Sequence, residues 1–197
     1  MSACRRFVVA VLLVFAVAVL ARAQAAIAPR SAEKAFAPGG RVWMDISAGD
    51  YTIKAGKGDR VWVQWTTDDP DDIGQFKADI SVEGRDVTVR TRGPKGTMRV
   101  IVEVPPRSDL TVRLGAGELR VSGIEGSKDL SSWAGDIGVD VGPPDSYGRV
   151  EARVTAGDLS AAPFGVRKSG LFRSFSWQGK GRYQLKVRLT AGNIVLR

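Results

Sequence analysis

From residue 40 onward, apolar and polar residues alternate with a period of two, the pattern of strands with one buried face. Valine and other β-branched residues occupy many of the apolar positions. The main alternating sets are Val42, Met44, Ile46; Val61, Val63, Trp65; Val87, Val89; Met98, Val100, Val102, Val104; Leu110, Val112, Leu114; Val150, Ala152, Val154; and Tyr183, Leu185, Val187, Leu189. This region carries no sustained apolar stripe of period 3.6. The pattern therefore predicts an all-β fold with little helix.

Turn residues divide this pattern into strands. "SVEGRDVTV" predicts a tight hairpin with Gly84 at its turn. "VPPRSDL" interrupts a strand with two prolines, which cannot donate ladder hydrogen bonds. "TTDDPDDIGQF" and "VGPPDSYG" are typical of polar loops.

A short unit, Ala-Gly-[Asp/Glu/Asn]-apolar-x-apolar, occurs five times, as "ISAGDYTI", "LGAGELRV", "SWAGDIGV", "VTAGDLSA" and "LTAGNIVL". Its glycine and polar positions are Gly49–Asp50, Gly117–Glu118, Gly135–Asp136, Gly157–Asp158 and Gly192–Asn193. Glycine permits a left-handed backbone, and Asp or Asn can bond its own following backbone. Each unit therefore predicts a corner between two strands.

The repeat glycines are separated by 68, 18, 22 and 35 residues. Spacings of 18 and 22 suit one coil of a β-solenoid, in which each coil buries its inner face against its neighbours. The fold prediction is therefore all-β and solenoid-like, with stacked β-helical strands and N-terminal hairpins in a single domain. The alternative is a β-sandwich in which glycine-rich turns recur by chance.

These residues also resemble a known family. "VPPRSDLTVRLGAGELRVSGIEG" is similar to the signature of the bacterial DUF4097 family, also labelled "putative adhesin", and "SWAGDIGV", "VTAGDLSA" and "LTAGNIVL" resemble its later rungs. The resemblance spans about residues 40–197 and implies a solenoid-like domain on the export side of a bacterial envelope. It implies no catalytic set. Asn193 and the aromatic-rich "GLFRSFSWQGKG" depart from the family pattern.

The N-terminus has the features of a secretory signal. A basic start, an apolar run of 15 residues and a small-residue site predict a signal peptide over residues 1–23, with cleavage after residue 25 as an alternative. The other reading is an uncleaved membrane anchor. Residues 24–39 are interpreted as a linker and 40–197 as the β domain, placed in the periplasm, on the cell surface or outside the cell.

The composition excludes several kinds of catalytic and metal-binding site. The chain has no histidine, and its one cysteine lies in the signal segment. Catalysis by Ser-His-Asp or Cys-His sets and His-ligated zinc are therefore excluded. We predict no catalytic residues, no metal and no cofactor.

The carboxylates offer one alternative to the prediction that the protein binds no metal. If coils stack, Asp50, Glu118, Asp136 and Asp158 could form a calcium ladder, although the nonapeptide of calcium-binding rolls is absent. The acidic loop 68–72 has oxygen ligands of the kind calcium prefers, but no EF-hand spacing. Turn formation and solvation are the preferred interpretations of both.

The C-terminal end is basic. Residues 159–197 hold eight basic residues and no acidic one. Arg167, Lys168, Arg173, Lys180 and Arg182 are the candidate binding residues, interleaved with Phe172, Phe175, Trp177 and Tyr183. Cations beside aromatic rings suit anionic glycans or lipid headgroups, and an exported protein is not expected to meet nucleic acid. Alternatively, this segment caps the last coil while its cations are solvated.

The functional prediction is a non-catalytic, adhesin-like binding or scaffolding role in the cell envelope, without a membrane span after cleavage. One alternative is a β-helix enzyme for acidic glycans, using Asp136, Arg153 and Asp158. Another is envelope-stress sensing through a protein partner.

Overall fold

A computed structural model describes residues 30–93 and 98–197. The predicted signal peptide, residues 1–23, and the alternative cleavage site after residue 25 lie outside the described residues. No helix in the described part of the chain has the length and apolar character needed to cross a bilayer.

The described chain consists almost entirely of strands, which confirms the all-β prediction. The strands are β1 (Arg30–Ala35), β2 (Arg41–Ile46), β3 (Asp50–Ala55), β4 (Arg60–Thr66), β5 (Lys77–Glu83), β6 (Asp86–Arg92), β7 (Arg99–Val104), β8 (Asp109–Ser122), β9 (Lys128–Val139), β10 (Tyr147–Ala161), β11 (Val166–Gln178) and β12 (Tyr183–Leu196). A four-residue helix, α1 (Pro70–Ile73), and two 3-10 turns, Pro144–Ser146 and Ala162–Phe164, complete the elements.

Four long strands, β8, β9, β10 and β12, bend at their repeat unit. The first half of β8 pairs in parallel with β2, and its second half pairs in parallel with β3. Lys128 lies in register beside Leu110, near the start of β8, yet follows the end of β8 after only five connecting residues. Such a connection spans at most about 21 Å, whereas twelve extended residues cover about 40 Å. The strand must therefore bend, and its halves form two layers around a shared core.

We call each bent unit a rung, with layer 1 before the corner and layer 2 after it. The parallel rungs stack in the order β6–β7, β2–β3, β8, β9, β12, β10, and antiparallel β11 follows β10. The stack therefore departs from chain order at its C-terminal end. β12, the last strand, lies between β9 and β10 and pairs in parallel with both.

The apolar positions of the alternating pattern form the core, and all of those listed from the sequence are buried except Tyr183, which is half-buried. Leu119, Ile137 and Leu159, which follow three of the corner glycines by two positions, are completely buried. The stacked corners thus shield a common apolar interior, as the repeat predicts.

The N-terminal end of the stack corrects one expectation. Part of the segment interpreted as a linker is strand β1, which pairs antiparallel with β4, and the following Phe36 is buried. β1 was missed because its sequence, RSAEKA, has almost no apolar face and its side chains are mostly exposed. The hairpin around Gly84 is confirmed: β5 and β6 pair antiparallel, with Glu83 opposite Asp86.

Candidate functional site

The corner glycines form a column across the rungs. Their order is Gly49, Gly117, Gly135, Gly192 and Gly157, and each has a positive φ between 110° and 150°. A Cβ atom on Gly135 would overlap the backbone of Gly117, and one on Gly192 would overlap that of Gly135. Both the left-handed backbone and the close approach of neighbouring rungs therefore require glycine.

At two corners, the polar side chain after the glycine, that of Asp136 or Asn193, links neighbouring rungs rather than its own turn, which corrects the expected local hydrogen bond. The backbone N–H of Asn193 donates to Oδ1 of Asp136 at 3.0 Å, and its Nδ2 donates to the same oxygen at 2.9 Å. The N–H of Asp158 donates to Oδ1 of Asn193 at 3.3 Å. Asn193 thus lies between two aspartates: its side chain donates to the carboxylate of Asp136 and accepts from the backbone N–H of Asp158.

Three other carboxylates considered for calcium, those of Glu118, Asp68 and Asp69, also have protein partners. Glu118 forms an ion pair with Arg120 on its own strand. In the acidic loop, Asp68 pairs with Arg99 at 2.5 Å, and Asp69 caps α1 by accepting from the N–H of Asp71 at 3.0 Å. Within residues 30–93 and 98–197, no three metal-ligating side chains of the Asp, Glu, His or Cys type cluster closely enough to hold an ion.

An exposed row runs along the outside of the corner, two positions before the glycine column. Register places Trp133 of β9, Thr190 of β12, Thr155 of β10 and Phe172 of β11 level with one another on adjacent strands. We call these four residues the ridge. Three strand spacings separate Trp133 from Phe172, or about 14 Å. Trp133 is 71% exposed and Phe172 is 79% exposed.

A row of arginines flanks the ridge on the outer face of layer 1. Arg113 of β8, Arg188 of β12 and Arg153 of β10 lie two positions before the ridge, with Ser131 of β9 between the first two. Arg188 and Arg153 are direct register partners, an arrangement in which like charges repel. We call Arg113, Arg188 and Arg153 the arginine row.

Neighbouring acids neutralise this row only in part. Arg188 pairs with Asp129 at 2.6 Å, and Arg113 stacks over Trp43 at 4.7 Å from the ring centroid. Glu151 accepts from Arg149 at 2.7 Å, and this hydrogen bond lowers the pKa of Glu151. In the described part of the chain, neither Arg153 nor Lys186 forms an ion pair within 4.0 Å. With Glu151 and Arg188 they line a surface cavity of about 150 Å³.

The structure separates the five cations predicted from the sequence. Lys168 and Arg173 lie on the inward face of β11, opposite buried Leu159 and Val154, and cross the end of the stack. Lys168 Nζ donates to the Ser174 carbonyl at 2.7 Å, and Arg173 Nε donates to the Ser169 carbonyl at 2.6 Å. These two side chains therefore cap the last rung. Such inward charges also protect an edge strand from pairing with another chain.

The other three predicted cations lie apart from these. Arg167 lies opposite Ser160 in the layer 2 half of β11. Lys180 and Arg182 belong to the turn between β11 and β12, where Arg182 stacks over Tyr183 at 4.7 Å. Among the interleaved aromatics, Phe175 and Trp177 pack with Phe164 at centroid distances of 5.5 and 5.0 Å. Much of this segment is thus an end cap.

Sequence reasoning missed Trp133 and did not bring Arg113, Arg153 and Arg188 together as one row. A signal was present, because aligning the five units on their glycines places Arg113, Arg153 and Arg188 at one common position, four before the glycine. The same alignment places Trp133, Thr155 and Thr190 two before it.

One buried cation lies at the other end of the rungs. Lys128 is 2% exposed; its Nζ donates to the Gly126 carbonyl at 3.0 Å and to the Tyr147 hydroxyl at 2.8 Å. Burial lowers the pKa of Lys128 to about 8, against the opposing attraction of Asp109 and Asp140. Burial also raises the pKa of Tyr147 to about 12. A cavity of about 210 Å³, lined partly by Tyr147 and Tyr183, adjoins this pair.

Comparison with known proteins supports the fold. A solved structure of a "putative cell adhesion protein" from Clostridium sporogenes aligns with 86% of this chain and 99% of its own, with a TM-score of 0.54 at 15% identity. Two structures named "putative adhesin", from Parabacteroides distasonis and Parabacteroides merdae, align with 86% of this chain and 70% and 91% of their own at 12% identity. Their TM-scores, 0.28 and 0.27, are too low to carry an argument. No protein-family model matches the chain. No curated protein matches it either.

Proposed function

We propose that this protein is an exported, adhesin-like binding protein of the bacterial envelope that attaches without catalysis to anionic groups on a surface. The observation that carries the proposal is the arginine row, in which Arg188 and Arg153 are held side by side on a rigid sheet. A bound phosphate or carboxylate would relieve their repulsion and accept charge-assisted hydrogen bonds from both.

The stacked architecture suits such attachment. Rungs repeat every ~4.8 Å, so side chains at one position form straight rows across a broad surface. The arginine row and Lys186 lie on the outer face of layer 1, where an extended anionic partner can contact several rungs together. The signal-like N-terminus and the resemblance to the DUF4097 family support an envelope location.

The enzymatic alternative receives less support from the geometry. Its three residues do not converge, because Asn193 separates Asp136 from Asp158 and Arg153 lies on the opposite flank of the ridge. Among the residues that the structure describes, no specific contact favours the stress-sensing alternative.

The proposal is tested by retention of the chain from Gln24 on an immobilised acidic polysaccharide and on anionic vesicles, at low and high salt. We expect retention on at least one support at low salt and its loss at high salt, because exposed charge contacts are screened. Failure to bind either support at low salt would overturn the proposal.

Two matched variants locate the surface. R153Q/R188Q removes two positive charges from the arginine row, and K57Q/K77Q removes two exposed charges from other parts of the molecule. We expect the first to elute at clearly lower salt and the second to elute close to wild type. Equal effects of the two variants would show that net charge, rather than this row, causes retention.

A further inference from the structure

The exposed apolar side chains of this protein are concentrated at one place. Among the described residues, the three most exposed large apolar side chains are Phe172, Trp133 and Leu171, the last of which is 63% exposed. Two of them belong to the ridge, and Leu171 precedes Phe172 on β11. The most exposed apolar side chains therefore project from the corner, where the two layers meet, while Trp43 and Val195 on the outer faces are less exposed, at 42% and 40%.

Phe172 is held outward by an unusual backbone. It has a φ of 53° and is the one non-glycine residue with positive φ in the described chain. A bulky residue in this region is strained, and glycine would avoid the cost. An exposed aromatic ring at such a position gains little from packing, and backbone strain of this kind is concentrated at functional sites.

Charge is distributed unequally on the two sides of the ridge. The arginine row lies two positions before it, about 7 Å away along each strand. Glu118, Asp136 and Asp158 lie three positions after it, and Glu118 is already paired with Arg120. A negatively charged surface that contacts the ridge is therefore attracted on the layer 1 side and repelled on the layer 2 side.

We propose that the ridge, together with Leu171, docks on an anionic lipid bilayer. Trp133, Leu171 and Phe172 enter the boundary between headgroups and acyl chains, and the arginine row contacts lipid phosphates. The molecule tilts toward layer 1, which keeps Asp136 and Asp158 away from the headgroups. Aromatic side chains favour this interfacial depth, and basic side chains add attraction to anionic lipid. A soluble anionic polymer would make no use of an exposed leucine.

This inference rests on the anion binding proposed above and specifies its source. It is tested with the chain from Gln24 and vesicles of phosphatidylcholine, alone or with 30% phosphatidylglycerol, by co-sedimentation. We expect binding to the mixed vesicles. W133A/F172A should reduce the partition coefficient by roughly tenfold or more, since it removes the apolar area that enters the bilayer. V195A truncates an exposed apolar residue on layer 2 and should bind as wild type.

Tryptophan emission gives a second readout. Emission should shift to shorter wavelength on binding, and W133F should keep most of the binding while losing most of the shift. Wild-type binding by W133A/F172A, or an unchanged spectrum on binding, would overturn the membrane inference.

The two proposals fail in different ways. If R153Q/R188Q lowers retention on the polysaccharide while W133A/F172A leaves vesicle binding unchanged, anion binding stands and the membrane inference is wrong. If R153Q/R188Q binds both supports as wild type does, the arginine row is not the site and both proposals are wrong.

Discussion

Asn193 is an amide at a position where the other four repeat units have Asp or Glu. Its replacement by aspartate tests the hydrogen bonds between rungs at the corner. N193D would place a third carboxylate between those of Asp136 and Asp158, on the strand that separates them. Rungs about 4.8 Å apart give roughly 0.9 kcal/mol of repulsion per neighbouring pair in water, or about 1.7 kcal/mol for the two new pairs. The lost Nδ2–H bond to Asp136 adds about 1 kcal/mol. We therefore expect N193D to lower the free energy of unfolding by roughly 2–3 kcal/mol at pH 7.

The measurement is urea unfolding of wild type, N193D and N193A at low salt, because urea is uncharged and does not screen the repulsion. N193A loses the same Nδ2–H bond without adding charge, and it also loses the bond that Oδ1 accepts from the N–H of Asp158. Only the salt-dependent part of the difference between the two variants therefore measures the repulsion. N193D should gain stability relative to N193A in 1 M salt, where the screening length is about 3 Å. If N193D gains no stability relative to N193A in 1 M salt, the reasoning is refuted.

Two further predictions concern the fold. G135A should lower the free energy of unfolding by about 3 kcal/mol or more, because its Cβ would overlap Gly117. The control is G142A, at a φ of 63° with open space around it, which should cost only about 1–2 kcal/mol. Equal losses of the two variants in denaturant unfolding would contradict the close approach of the rungs. Lys128 has its pKa lowered to about 8 in the folded chain, so the unfolded chain binds more protons above that pH, and wild type should gain about 2 kcal/mol of stability relative to K128M between pH 7 and 9.5. Denaturation midpoints of both proteins that rise in parallel over this range would show that Lys128 is not the cause. Above pH 10 the raised pKa of Tyr147 should reverse the trend, since the unfolded tyrosine loses its proton first.

Much of the fold was predictable because the residues that alternate as apolar positions in the sequence are the residues that pack in the core. Alternation alone identifies the buried positions of β8, and the glycines mark its corner. The order of the rungs was not predictable, because β12 joins β9 and β10 through contacts between residues far apart in sequence. Strand β1 was missed because an exposed edge strand needs no apolar face.

The candidate site was predictable only in part. The sequence indicates a basic C-terminal region, but local charge density does not distinguish Lys168 and Arg173, which cap the stack, from Arg153 and Arg188, which face solvent. That distinction depends on which face of the strand each residue occupies. Trp133 was overlooked because a single tryptophan in a strand usually belongs to the core.

The position of β12 has a consequence for how the molecule forms. A chain that emerges from its N-terminus can assemble the rungs up to β9, but β10 has no neighbour on that side until the final residues arrive to fill the opening. The sheet therefore becomes continuous only after β12 has been synthesised. For the same reason, loss of residues 183–197 would divide the stack rather than shorten it.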